Sequence, residues 1–143
     1  MLKRILFVWS IILLFAGCTH DPLPLPVLSD KFSDIQKQTL DKSCAYGGCH
    51  DSSDMPKALL WLAADSSYNQ LRFIHVIQSD VAAARFKALV VPYQPDSSYL
   101  VYKLTLNASS TDYGDRMPSR LKGLPQNEID AIIRWIRRGA PND

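Results

Sequence analysis

Leu124-Pro-Gln-Asn-Glu-Ile-Asp-Ala-Ile-Ile-Arg-Trp-Ile-Arg-Arg-Gly-Ala140 is the stretch whose reading decides the fold class. Ile129, Ile132, Ile133 and Ile136 recur at the spacing of one helix face, with Trp135 at the margin of that stripe. Glu128 and Asp130 suit the positive end of a helix dipole, and Arg134, Arg137 and Arg138 suit the negative end. Pro125 fits a first turn, where its missing N–H costs nothing. Gly139 can adopt the left-handed conformation that closes a helix, and Pro141 prevents continuation. The three arginines read as a solvated face matched to the dipole.

Working outward, Asp96 or Ser97 is placed to cap a short helix through Tyr99, Leu100, Tyr102, Lys103 and Leu104. Upstream, Ala82 to Val91 is helical in its first half and strand-like at Leu89-Val-Val91. A helix is predicted from Ser66 or Ser67 to about Gln78, burying Tyr68 and Leu71 and extending to Ile74 and His75. At the front of the domain, Ser29 or Asp30 can cap a helix that puts Phe32, Ile35, Thr39 and Leu40 on one face. That helix ends near Lys42. Helices at both ends and no run of alternating strands predict an all-α domain.

The chain opens differently. Lys3 and Arg4 precede an apolar run, Ile5 to Ala16, broken only by Ser10. The run is too short to span a bilayer but suits the apolar region of a secretory signal. Ala16-Gly17-Cys18 then resembles a bacterial lipobox, although Phe15 replaces the usual aliphatic residue. The expectation is a lipoprotein signal peptide over 1–17 and a lipidated Cys18. A proline-rich stalk over 18–28 follows, with Pro22, Pro24 and Pro26 favouring polyproline II, and then one domain over 29–143. The protein would be exported and lipid-anchored in the bacterial cell envelope, at the outer membrane or facing the periplasm, and so held at the membrane. Removing 17 of 143 residues leaves 126, and with Lys3 and Arg4 gone the 14 remaining Lys and Arg balance 14 Asp and Glu. A neutral chain gives no support to nucleic-acid binding.

Chemistry concentrates in Cys44-Ala-Tyr-Gly-Gly-Cys-His50. After lipidation of Cys18, Cys44 and Cys49 are the remaining thiols, and export puts them where free thiols seldom persist. Two thiols with a histidine directly after the second can attach and ligate haem, as in Cys-x-x-Cys-His. Here the loop is two residues longer, and Gly47-Gly48 permits the bulge. A Cys44–Cys49 disulfide beside an incidental histidine also fits these residues. Zinc fits less well, lacking a fourth ligand. Met117-Pro118, in a polar loop before the last helix, offers a thioether for the far side of an iron held by His50, or a packing methionine. Met55 sits close behind His50. His75 is a lesser candidate for the same ligand role, and His20 lies in the stalk. No nucleophile–base pair, paired carboxylates or phosphate-binding glycine loop stands out.

Taken together, Cys44-x4-Cys49-His50, Val91-Pro92, Asp96-x-Ser98-x-Leu100-Val-x-Lys103-Leu104, Arg116-Met117-Pro118 and Leu124 to Ala140 resemble a planctomycete-type cytochrome c domain. Such domains also occur in Bacteroidetes lipoproteins. The resemblance runs from about Ile35 to Asn142, with the stretch between His50 and Trp61 departing from its pattern. It implies one covalent haem c on Cys44 and Cys49, with His50 as proximal and Met117 as distal iron ligand. It implies a cytochrome c-like fold and one-electron transfer between redox protein partners rather than substrate turnover. A haem-free, disulfide-stapled interaction module and an accessory haem subunit of a redox enzyme are the rival expectations.

Overall fold

The helix predicted most clearly is also the one around which the others are arranged. In the computed structural model, which describes residues 23–51, 60–74, 77, 79–106, 112–119 and 122–143, it spans Gln126–Arg137 (α6 in the numbering below). Ile129, Ala131, Ile132, Trp135 and Ile136 are its buried residues. Trp135 is therefore central rather than marginal, 0% exposed, while Ile133 takes the margin. The reason is tertiary. The indole packs on Phe32 with ring centroids 5.1 Å apart, and its N–H donates to the Pro141 carbonyl at 2.8 Å. Gly139, at φ +99, closes the helix as expected, with Ala140 N–H donating back to Trp135.

At the front, α1 (Phe32–Ile35) runs into a wider π-helical turn (Gln36–Leu40) and then α2 (Asp41–Ser43). The π turn brings Gln36, Thr39 and Leu40 to the buried side. Neither Ser29 nor Asp30 caps α1. Its first donors go instead to Asp143, Phe32 N–H to Oδ1 at 2.9 Å and Ser33 N–H to the backbone oxygen at 2.8 Å. A carboxylate at a helix start is electrostatically well placed, and this one comes from the far end of the chain.

α3 covers Ser67–Phe73 and ends before the expected limit, because Ile74 is extended and exposed. The β-branched residues Ile74, Val76 and Ile77 disfavour continuation. His75 lies outside the described residues. α4 (Asp80–Arg85) is capped by Ser79, whose hydroxyl accepts from Ala82 N–H. Leu89-Val-Val91 forms no strand, although Leu89 and Val90 are buried. The Ala88 and Leu89 carbonyls accept from Tyr99 and Leu100 N–H at 3.2 and 2.9 Å, which caps α5 (Tyr99–Thr105). Asp96 and Ser97, the expected caps, sit in the preceding 3-10 turn (Pro95–Ser97).

The described residues are helical without strands, so the all-α class holds. One core joins Phe32, Ile35, Leu40, Leu71, Val90 and Leu104 to α6. A second cluster gathers Ala82, Phe86, Leu89 and Tyr99, and Leu60 packs against both. No helix among the described residues is long and apolar enough to cross a membrane.

Arg137 and Arg138 are exposed, as the sequence suggests, but this arginine face also makes contacts. Arg134 donates to the Leu28 carbonyl at 2.7 Å, and Arg138 to the Asp30 carbonyl at 2.8 Å with a 2.9 Å ion pair to Asp143. With Asn127, which donates to the Pro26 carbonyl at 3.0 Å, they fasten the stalk sequence along α6. Residues 127, 134 and 138 share one helix stripe, and alternate carbonyls of an extended segment point the same way. Arg137 remains exposed.

Candidate functional site

The Cys44–His50 loop is built directly on the end of α2. Cys44 and Ala45 N–H both donate to the Leu40 carbonyl, at 3.0 and 2.8 Å. Cys49 N–H then donates to Tyr46 at 3.0 Å, forming a turn whose third residue, Gly48, has φ +81. That conformation is open to glycine and costly for most residues. Of the glycine pair, Gly48 supplies the conformational freedom, while Gly47 stands in open space. His50 N–H closes the loop on the Cys44 carbonyl at 3.1 Å.

His50 is fixed twice more. Its carbonyl accepts from Leu62 N–H at 2.8 Å, and its ring Nδ1 lies 2.9 Å from the Leu60 carbonyl. A carbonyl can only accept, so Nδ1 carries the proton and Nε2 keeps its lone pair in the neutral ring. This is the arrangement in which a histidine serves as a metal ligand, the partner of one nitrogen fixing the aim of the other. Leu62 is held in turn by Gln36, a buried side chain whose amide donates to the Leu62 carbonyl at 2.9 Å and to Asp41 at 2.6 Å. The Ser67 hydroxyl completes this set by donating to Gln36 Oε1.

Cys44 and Cys49 are half-buried free thiols, not joined to each other. Burial pushes the Cys44 thiol up to about 12, with Glu128 and Cys49 adding to the effect. Cys44 is thus a neutral thiol near pH 7, lacking the thiolate that nucleophilic catalysis or disulfide exchange requires. Glu128 is held by the Thr39 hydroxyl, which donates to it at 2.9 Å and so ties α6 to the helix carrying Cys44.

Met117 lies half-buried against the main core, as do Cys44, Ala45 and Leu60. Its N–H donates to the Lys103 carbonyl at 2.9 Å, hanging the loop from α5. Beside it, Arg116 lies flat over Gly123, where a Cβ would come within 2.6 Å of the guanidinium. The structure thus gives Met117 some core packing in addition to its loop setting.

Two thiols, a histidine directly after the second, and a thioether bordering the same core are the residue types a covalent haem would use. Cys44 and Cys49 would hold it, and His50 Nε2 would face the iron. Met117 is the candidate for the second axial position. The Trp61 indole nitrogen, between the two residues that hold His50, is buried with no acceptor among the described residues. Among the described residues, no three His, Cys, Asp or Glu side chains converge as ligands for a metal ion. Cys18, His20, Met55 and His75 lie outside the described residues.

Leu60, Gln36, Thr39 with Glu128, and Trp61 were not singled out as site residues from the sequence. Leu60 acts through its backbone, which has no sequence signature. Gln36 did leave a signal, a polar residue on the buried face four positions after Phe32. No protein-family model, curated protein or solved structure matches this chain.

Proposed function

We propose that this chain is a monohaem c-type cytochrome that carries one electron at a time between redox proteins at a bacterial membrane surface. The observation that carries the reading is the His50–Leu60 hydrogen bond of 2.9 Å, which fixes the imidazole and reserves Nε2 for a metal. Two unbridged thiols on the same short loop, and Met117 bordering the same core as Cys44, support it. When bound, haem supplies a reversible one-electron iron couple.

The chain's own residues do the rest. Cys44 and Cys49 retain the group through thioethers. The Leu60 carbonyl, by accepting the Nδ1 proton, makes His50 a stronger donor, which favours ferric iron. Met117, as a soft thioether ligand, pulls the other way and raises the potential. Leu40, Leu62 and Leu104 are buried and would keep water from the side of the group turned to the core. Lipidation of Cys18 would hold this electron carrier at a membrane rather than free in solution.

Mature protein produced with c-type maturation machinery tests this. Denatured protein should retain one haem by intact mass and give sharp reduced α and β bands. Cys44→Ala with Cys49→Ala should give apoprotein. A parent mass lower by only the two protons of a Cys44–Cys49 disulfide would overturn the proposal.

A further inference from the structure

The segment entering the domain is fastened rather than free, and it has two unlike sides. The Pro26, Leu28 and Asp30 carbonyls face α6 and are held by Asn127, Arg134 and Arg138. Leu28 packs inward on the main core. The alternate residues point away: Leu23 is 90% exposed, Leu25 56% and Val27 86%. Three large apolar side chains in a row on the outside of a pinned segment cost solubility and contribute nothing to the core. Next to them, Gln126 and Asp130 line a shallow groove shared with Leu25 and Val27.

Resting on the reading of Cys18 as the lipid-bearing residue, we propose that Leu23, Leu25 and Val27 form a membrane seat. They enter the lipid interface and turn the α6 edge of the domain toward the bilayer. The length of chain between anchor and seat decides for lipid over other occupants. Five residue steps separate Cys18 from Leu23, and at about 3.1 Å each even a fully extended polyproline II segment reaches only about 15 Å. A patch on so short a lead is confined to the membrane surface, within reach of the headgroups. Because the strap is bonded to α6, seating it orients the whole domain rather than a loose tail.

The test places the photoreactive residue benzoylphenylalanine at Leu25 or, as a control on α4's flank, at the exposed Lys87. Full-length protein, processed in cells, is reconstituted in phosphatidylethanolamine–phosphatidylglycerol vesicles and irradiated. Acylation is read by intact mass on the same sample. The expected result is a lipid adduct from position 25 and none from position 87, lost when Leu23→Ser and Val27→Ser accompany the probe. Equal adducts at both positions, no lipid adduct at position 25, or a dimer adduct in its place would overturn the seat. If the mass shows no acyl chain, the lipobox reading fails separately. The same vesicles are then added to that unacylated protein, where an adduct at position 25 upholds the seat and its absence overturns it.

Discussion

Replacing Gln36 with leucine should destabilise the domain far more than its volume change suggests, and should loosen His50 as well. Gln36 is 5% exposed, and its amide meets the Leu62 carbonyl, Asp41 and the Ser67 hydroxyl. Asp41 is exposed and recovers water when its partner leaves. Ser67 is fully buried, and the Leu62 bond is buried too, so each loses a partner it cannot replace. A buried polar group left unpaired costs about 1–3 kcal/mol, and the added apolar side chain returns roughly 1 kcal/mol. The net loss is about 1–5 kcal/mol, a large share of the roughly 5–15 kcal/mol that holds a domain together. With a urea slope of about 1–2 kcal/mol per molar, the midpoint falls by roughly 0.5–5 M. Urea unfolding followed by far-ultraviolet circular dichroism measures it. Combining Gln36→Leu with Ser67→Ala removes both partners and should recover about 1–2 kcal/mol as a coupling energy. Because Gln36 holds Leu62, the single variant should also speed exchange of the His50 Nδ1 proton in nitrogen-resolved nuclear magnetic resonance. A Gln36→Leu midpoint unchanged from the parent, or strictly additive single variants, would refute the reasoning.

Met117→His should keep a low-spin visible spectrum while lowering the reduction potential in a redox titration, and Met117→Ala should open a position that an added ligand fills. In both, the weak long-wavelength charge-transfer band of ferric iron–methionine bonding should vanish; its survival would remove Met117 from the site. Gly139→Ala should lower the melting temperature, because φ is +99 there and a Cβ would lie 2.6 Å from the Tyr93 ring; about 1–3 kcal/mol of strain is expected. Tyr93→Ala in the same chain should relieve the clash but not the backbone strain. Asp143 is held below the usual carboxylate range, first by the Phe32 N–H bond and then by Arg138. Its contribution is present above the ordinary carboxylate range and lost as pH falls through its lower folded value. Asp143→Asn should therefore flatten the acid limb of melting temperature against pH while leaving the alkaline limb unchanged.

What could be read in advance was what short-range pattern controls. α6 is legible because stripe, charges, Gly139 and Pro141 agree within one local stretch. The positions misread were decided by partners distant along the chain. Trp135 belongs in the core because Phe32 lies against it, and α1 is capped by Asp143 from 111 residues away. The bonds of Arg134 and the exposed Arg138 to the Leu28 and Asp30 carbonyls have no sequence signature. The caps of α5 come from backbone carbonyls in a segment whose side chains suggest a strand, and backbone acceptors carry no residue identity. The site divides in the same way. Cys44, Cys49, His50 and Met117 stand out by residue type and spacing, whereas the Leu60 carbonyl that orients His50 could be found only in three dimensions.

The two halves of the site hang from different helices, and this decides how damage should spread. The Cys44–His50 loop starts from the Leu40 carbonyl at the end of the first helical segment, and the Met117 loop hangs from the Lys103 carbonyl on α5. Both supports pack against α6, and Thr39 adds a direct bond from the cysteine-bearing side to Glu128. The relative placement of His50 and Met117 is then a property of α6 and its core, not of either loop. A change confined to the Met117 loop removes one ligand and leaves the thiols and His50 where they are. A cavity at Trp135 or Ile132, both essentially inaccessible to solvent, shifts the two supports relative to each other. On the haem proposal, covalent attachment should survive such a shift, because thioethers tolerate displacement. Ligation by Met117 should not, since it would depend on a bond across the two halves. Attachment and six-coordination are therefore separable in this fold, and core variants of α6 should separate them.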